Sequence, residues 1–292
     1  MSGRLANAPQ PVKRLAHVGS VAYGRLTADA RMLPSFLICG GQRCGTTSLY
    51  RALAQHPAVV KAVLHKGVHY FDTGYHRGPR WYRAHFPLRS TAARIEHRLG
   101  VPAQTFESSP YYMYHPLAAE RIARDLPGVR LIALVRDPVE RAFSQHTHEL
   151  ARGFESEPDF ARAVALERSR VDGEAERMRA DPTYQSFSHQ HHAYRARGEY
   201  VTHLRRLAGL VGRDRLLVVD AGEFFLRPQP VYDEVLDFLG LPRLGYPAFE
   251  RHNARPRADD MPAPLRDALG EHFAVFDEAL ASFLGRELSW CR

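Results

Sequence analysis

Two short segments limit what this chain can become. Phe36 to Leu49 and Leu131 to Ser144 each run from an unbroken apolar stretch, through a polar turn, into a helical pattern. An apolar run without alternation suits a strand buried on both faces, and such strands belong to parallel sheets covered by helices. The first turn, Gly40-Gly-Gln-Arg-Cys-Gly-Thr-Thr47, opens a helix, where backbone N–H groups and the dipole favour an anion. Arg43 adds a cation, and Thr46, Thr47 and Ser48 add hydroxyl donors. The second segment sets Arg136 at a strand end and Ser144 about two turns into the next helix. Their side chains can converge on one phosphate, the arginine as a bidentate partner. Together the pair implies a nucleotide with phosphates at two separate places.

The rest of the chain fits an α/β fold, a P-loop-like parallel sheet with helices on both faces. Strands are expected over Ser35–Cys39, Ala58–Leu64, Val68–Phe71, Gln104–Glu107, Arg130–Val135 and Arg215–Val219. Helices are expected from Thr46 to Gln55, Pro116 to Asp125, Val231 to Leu239 and Pro264 to Leu284, and an amphipathic run covers Tyr194 to Leu210. Asp137 and Pro138 suit the cap and first residue of a helix. Alternation of this kind places ligands outside the C-terminal ends of the strands. The charged stretch Phe154 to Gln190 reads as a peripheral subdomain or flap, with the acid-rich run Glu155 to Asp181 as a solvated helical face.

Composition narrows the classes further. The 292 residues are 45% hydrophobic and 25% charged, an ordinary globular balance for a single domain over residues 34–292. Residues 1–33, rich in Arg, Ala, Pro and Gly, read as a flexible N-terminal arm without a signal-peptide core. The formal charge of +8 is carried mainly by arginine, whose planar fork suits phosphate and sulfate. Basic residues are spread along the chain without interleaved aromatics, so no nucleic-acid partner is expected. Cys39, Cys44 and Cys291 form neither a metal spacing nor a disulfide framework. No apolar run reaches membrane-spanning length. These features lead us to expect a cytoplasmic protein without an integral membrane segment. Oligomeric state is not legible.

Gly40 to Thr47 nearly spells a Walker loop, but Thr46 holds the lysine position and the cation has moved to Arg43. Without that lysine and a clear Mg²⁺-binding acid, for which Asp137 is the nearest candidate, a nucleoside triphosphatase is disfavoured. A P-loop kinase using Mg-nucleoside triphosphate stays as an alternative, as does a non-catalytic nucleotide-binding module.

The two segments, taken with the blocks around them, resemble sulfotransferases that use 3′-phosphoadenosine 5′-phosphosulfate (PAPS), in particular the heparan sulfate N- and O-sulfotransferase group and its bacterial relatives. Lys66-Gly-Val-His-Tyr-Phe-Asp72 with Trp81-Tyr82 resembles that group's Lys-Glu-Val-His-Phe-Phe-Asp block and its continuation. Glu107-Ser-Ser-Pro-Tyr111 resembles its Glu-Lys-Thr-Pro-x-Tyr strand end. Leu236 to Leu241 and Gly285 to Trp290 resemble its late helix and closing segment. The resemblance covers Pro34 to Trp290. It implies that Arg43, at the family's lysine position, holds the 5′-phosphate and bridging oxygen, with Gly45, Thr46, Thr47 and Ser48 cradling the same group. It implies Arg136 and Ser144 at the 3′-phosphate, and Arg255 and Arg257 in a loop closing over the nucleotide. No metal is expected, since arginines and N–H groups replace it. The implied acceptor is a hydroxyl or amine on a carbohydrate, lipid-linked or small molecule.

Two departures matter. The family's catalytic base is the Glu before Val-His, where this chain has Gly67, and its Lys after Glu107 is Ser108. A hydroxyl acceptor needs a base near the attacking oxygen. His69 is the first candidate, because imidazole titrates near neutral pH; Glu107 is the second, ahead of His65 and His146. Ser188-His-Gln-His-His192 carries three histidines but no metal-ligand spacing, and reads as a solvated or substrate-facing loop. Tyr111, Tyr112 and Tyr114 read as packing residues.

Overall fold

The two apolar runs become adjacent central strands. The computed structural model describes residues 19–20, 22–63, 65–250 and 261–292. In chain order these hold β1 (Phe36–Gly40), α1 (Thr46–Leu53), β2 (Val59–Lys61), α2 (Pro79–Arg83), α3 (Arg89–Leu99) and β3 (Gln104–Ser108). Next come α4 (Ala118–Asp125), β4 (Arg130–Val135), α5 (Pro138–Leu150), α6 (Phe160–Val171), α7 (Glu174–Ala180) and α8 (Phe187–His191). The chain continues through α9 (Tyr200–Val211), β5 (Leu216–Asp220), α10 (Ala221–Leu226), α11 (Pro228–Leu239) and α12 (Ala263–Leu284).

The sheet is parallel throughout, in the order β2-β3-β1-β4-β5. All five residues of β1 are buried, as are five of the six in β4, which is why both read as continuous apolar runs. After β1 the chain leaves for the far edge at β2, and it returns on the other side of β1 only with β4. The crevice above β1 and β4 is therefore the topological switch point, the place where such sheets bind ligands. Both motif turns open there.

Local chemistry sets the helix starts. Asp137 accepts from Val139 N at 2.8 Å and Glu140 N at 3.3 Å, and Pro138 is the first helical residue of α5. Asp220 caps α10 in the same way and also binds Ser289 N and Oγ at 2.9 and 2.7 Å, fixing the closing segment. One core encloses the sheet, and a smaller one joins Val139 and Phe143 of α5 to Phe160, Tyr194 and Phe273.

Several expectations change. Val68 to Phe71 forms no strand: His69 takes a left-handed backbone (φ 54°), and Tyr70 N donates to the Tyr112 hydroxyl at 2.8 Å rather than to a neighbouring strand. Residues 1–18 of the expected N-terminal arm lie outside the described residues, but its end is docked. Ala28 and Arg31 are buried, and Met32 N donates to Pro87 O at 2.8 Å. The acid-rich run Glu155 to Asp181 is solvated only in part: Asp159, Asp172, Glu176 and Asp181 are exposed, but two of its carboxylates are not. Glu155 and Glu167 are buried, Glu155 accepting from Tyr194 Oη at 2.6 Å and Arg170 Nη1 at 2.8 Å, and these donors outweigh burial and lower its pKa to about 2. Among the described residues no helix is long and apolar enough to cross a membrane.

Candidate active site

The loop after β1 is held open toward the crevice by two left-handed residues, Arg43 (φ 67°) and Gly45 (φ 83°). The second must be glycine on two counts. A side chain is strained at that φ, and a Cβ there would stand 2.9 Å from the Phe225 ring. Arg43 has no such licence, and a non-glycine residue held at positive φ marks a site where surrounding contacts over-determine the backbone. Those contacts are visible. Arg43 Nε donates to Ser144 Oγ at 3.0 Å, and its carbonyl accepts from Arg136 Nη1 at 3.3 Å. The three residues read from the two motifs thus meet across the β1–β4 crevice.

A third cation joins them. Lys66 Nζ donates to Thr47 Oγ1 at 2.9 Å and Thr46 Oγ1 at 3.3 Å, so an ammonium lies over the start of α1. Burial makes that charge costly, and although Glu107 partly offsets the effect, the pKa falls from 10.5 to about 8. An anion arriving there would offset this desolvation.

The segment after Lys66 carries the candidate bases. His69 Nδ1 lies 2.8 Å from Asp72 Oδ2; the imidazole is 45% exposed and the carboxylate fully buried. Burial disfavours the imidazolium, but the Asp72 charge and hydrogen bond prevail and raise the pKa above its usual 6.5. Glu107 differs in kind. It is fully buried and accepts from Ser109 Oγ at 2.6 Å, Tyr112 Oη at 2.7 Å and Val68 N at 3.1 Å. Its carboxylate is thus spent on holding the loop, with burial pushing its pKa up, and it presents no free edge to the crevice. Ser109 Oγ in turn accepts His69 N at 3.0 Å, so Glu107 fixes the backbone that carries the imidazole.

Gly67 explains why no carboxylate precedes the histidine. A Cβ there would sit 2.6 Å from the Ser108 carbonyl, 3.1 Å from Ser109 Oγ and 3.3 Å from His69 Nε2. The space is filled, and one of the atoms that borders it is the free imidazole nitrogen.

A model of the sulfotransferase domain matches residues 33–248. The chain belongs to the sulfotransferase family. It is 30% identical over 220 residues to the human bifunctional heparan sulfate N-deacetylase/N-sulfotransferase 3, a match covering 73% of this chain and 23% of that protein. It is likewise 30% identical over 221 residues to human heparan sulfate glucosamine 3-O-sulfotransferase 5, covering 75% and 56%. The chain thus spans about a quarter of the length of the bifunctional relatives it matches. A sulfotransferase from Alicyclobacillus acidocaldarius superposes with a TM-score of 0.65 at 27% identity, covering 89% of this chain and all of that one. PAPS is the general donor of the family.

Within this sulfotransferase fold the expected donor residues Arg43, Gly45, Thr46, Thr47, Ser48, Arg136 and Ser144 lie at the β1–β4 crevice. Arg255 and Arg257 lie outside the described residues. Asp137, considered for Mg²⁺, is occupied as the α5 cap. His146 points away, its Nε2 2.8 Å from Glu157 O. The histidine cluster is neither a loop nor solvated. His189, His191 and His192 are buried on and beside α8, bonded separately to Tyr111 Oη, Glu149 and Phe154 O. Among the described residues no three His, Cys, Asp or Glu side chains form a metal-binding group. Tyr111, Tyr112 and Tyr114 are buried, as packing residues should be. Lys66 is the residue the sequence reading passed over.

Proposed function

We propose that this chain transfers the sulfuryl group of PAPS to a hydroxyl or amine of a carbohydrate, lipid-linked or small-molecule acceptor. The observation that carries the reading is the pair of cationic centres across one crevice. One is Lys66 with the Thr46 and Thr47 hydroxyls at the start of α1; the other is Arg136 with Ser144, bridged to the first by Arg43. Their chemistry fits a nucleotide charged at both its 5′ and 3′ positions. They would also take the place of a divalent cation.

PAPS supplies a sulfuryl group on a phosphate leaving group, and displacement is in line, so positioning and charge stabilisation do most of the work. Arg43 and Lys66 hold the 5′-phosphate and take up the electron pair's charge as its bond to sulfur breaks. Arg136 and Ser144 fix the 3′-phosphate and hence the register of the nucleotide. His69 receives the acceptor proton. With Nδ1–H donating to Asp72, Nε2 carries the lone pair, beside Gly67 where relatives place their carboxylate. The new bond joins sulfur to the acceptor oxygen or nitrogen, and adenosine 3′,5′-bisphosphate leaves.

Thermal stabilisation by adenosine 3′,5′-bisphosphate without Mg²⁺, and none by ATP with or without it, is the expected result. Stabilisation only by Mg-ATP would replace this reading with a kinase. Transfer of labelled sulfate from PAPS across an acceptor panel then separates an enzyme from a binding module.

A further inference from the structure

The donor loop is anchored to the rest of the molecule by Gln42, a side chain of the first motif to which the sequence assigns no role. Gln42, directly before Arg43, donates from Nε2 to Glu149 Oε1 at 2.8 Å, and its Oε1 accepts from Arg197 Nη1. A carboxylate on one side and a guanidinium on the other admit only one orientation of that amide. Glu149, on α5, is fully buried, and its other oxygen lies 2.9 Å from His191 Nδ1 on α8. Arg197 is also buried. It donates to the carbonyls of Gln190 and His189 and lies over the Tyr111 and Tyr114 rings at 4.9 and 5.1 Å.

The consequence reaches Arg43. Its left-handed backbone is disfavoured by sterics, and a strained residue persists only where its neighbours over-determine it. Gln42 is fixed on one side, and Cys44 N closes back on Gly41 O at 3.2 Å on the other. The guanidinium then leaves the loop toward Ser144. A buried polar network of this sort is costly if half satisfied, so one change in it is felt at every member.

Resting on the donor reading above, we propose that Glu149 is a positioning residue for the donor site: through Gln42 it holds Arg43 in the conformation that meets the 5′-phosphate, and it ties that loop to α8.

Two readouts test this, one of which needs no nucleotide. In the free protein, amide hydrogen exchange over residues 41–46 should quicken about tenfold in Gln42→Leu and in Glu149→Leu, the loss expected for one charge-assisted hydrogen bond. It should stay near wild type in Glu149→Gln, whose amide can still accept from Gln42. Second, the preference for adenosine 3′,5′-bisphosphate over adenosine 3′-monophosphate isolates the 5′ contacts. Gln42→Leu should shrink that preference about tenfold, and should shrink it no further in an Arg43→Ala background. Unchanged exchange, equal weakening of both nucleotides, or a full Gln42 effect without Arg43 overturns the proposal. If wild type shows no preference between the nucleotides, the donor reading fails, while the exchange result still decides whether Glu149 positions the loop.

Discussion

Lys66→Met should make the nucleotide-free protein more stable and the nucleotide complex weaker, two effects of opposite sign from one side chain. The ammonium is buried over α1, and its pKa falls from 10.5 to about 8. At ~1.4 kcal/mol per pH unit, this holds about 3 kcal/mol against the free fold at neutral pH as an upper value. The sign follows from proton counting. Between pH 8 and 10.5 the unfolded chain binds the Lys66 proton and the folded chain does not, so folding stability from this group rises with pH there. Below pH 8 the penalty is present in full. Methionine keeps the stem and removes the charge, which releases part of that penalty. A gain of 1 to 2 kcal/mol corresponds to roughly 2–8 °C in Tm for a chain of this size.

Binding moves the other way. A charge-assisted hydrogen bond to the 5′ group contributes about 1.5–3 kcal/mol, so its loss weakens adenosine 3′,5′-bisphosphate roughly 10- to 150-fold. The two halves are separable by calorimetry and thermal unfolding across pH. Wild-type affinity should hold up to about pH 8 and then fall about tenfold per pH unit as Lys66 loses its proton. Lys66→Met should show the lower affinity with no break at that pH. Equal affinities for wild type and Lys66→Met at pH 7, or a wild-type profile flat through pH 8 to 9.5, would refute an anion-binding role for this lysine. A variant with unchanged free stability would refute the desolvation argument alone.

Asp72→Asn removes the charge that lifts the His69 pKa, so the acidic limb of the pH–rate profile should shift to lower pH while kcat falls about 10²-fold or more; kcat and the limb both unchanged would remove His69 from the base role. Gly67→Glu should not restore a catalytic carboxylate. With a Cβ 2.6 Å from the Ser108 carbonyl, it should cost about 1–3 kcal/mol by denaturant unfolding and lower activity, and a rise in activity would contradict the geometry. Tyr112→Phe leaves one Glu107 oxygen and Tyr70 N without their partner, so a loss of about 1–3 kcal/mol in unfolding free energy is expected, with His69 less well placed. Wild-type stability in that variant would show that the Glu107 network does not hold the loop.

How far such a site can be read from sequence depends on where each residue's partners lie. The strands β1 and β4, the Asp137 cap and the opening of both motif turns at one crevice were legible because each follows from local pattern plus the switch-point rule for parallel sheets; the direct contact of Arg43 with Ser144 was not. Lys66 was not, because the cation absent from the Walker position at Thr46 arrives through space from a loop 20 residues away. The chain holds few lysines, and this one stands in the block that also contains Gly67 and His69; that was the available signal. The failures at Val68–Phe71 and at the histidine cluster share a cause. An apolar run reads as a strand, and a polar run reads as surface, only if backbone and side chains find partners nearby. Here Tyr70 N is satisfied by Tyr112, and His191 by Glu149, 42 residues distant in each case. Buried Arg141, Glu149, Glu155, Glu167 and Arg197 each find partners in other side chains or the backbone. Glu155 and Glu167 read as part of a solvated run because their partners Tyr194 and Arg195 lie beyond it in the chain. Such a polar interior is costly to build and fixes one arrangement once satisfied. That is what a loop holding Arg43 at a disfavoured φ needs behind it.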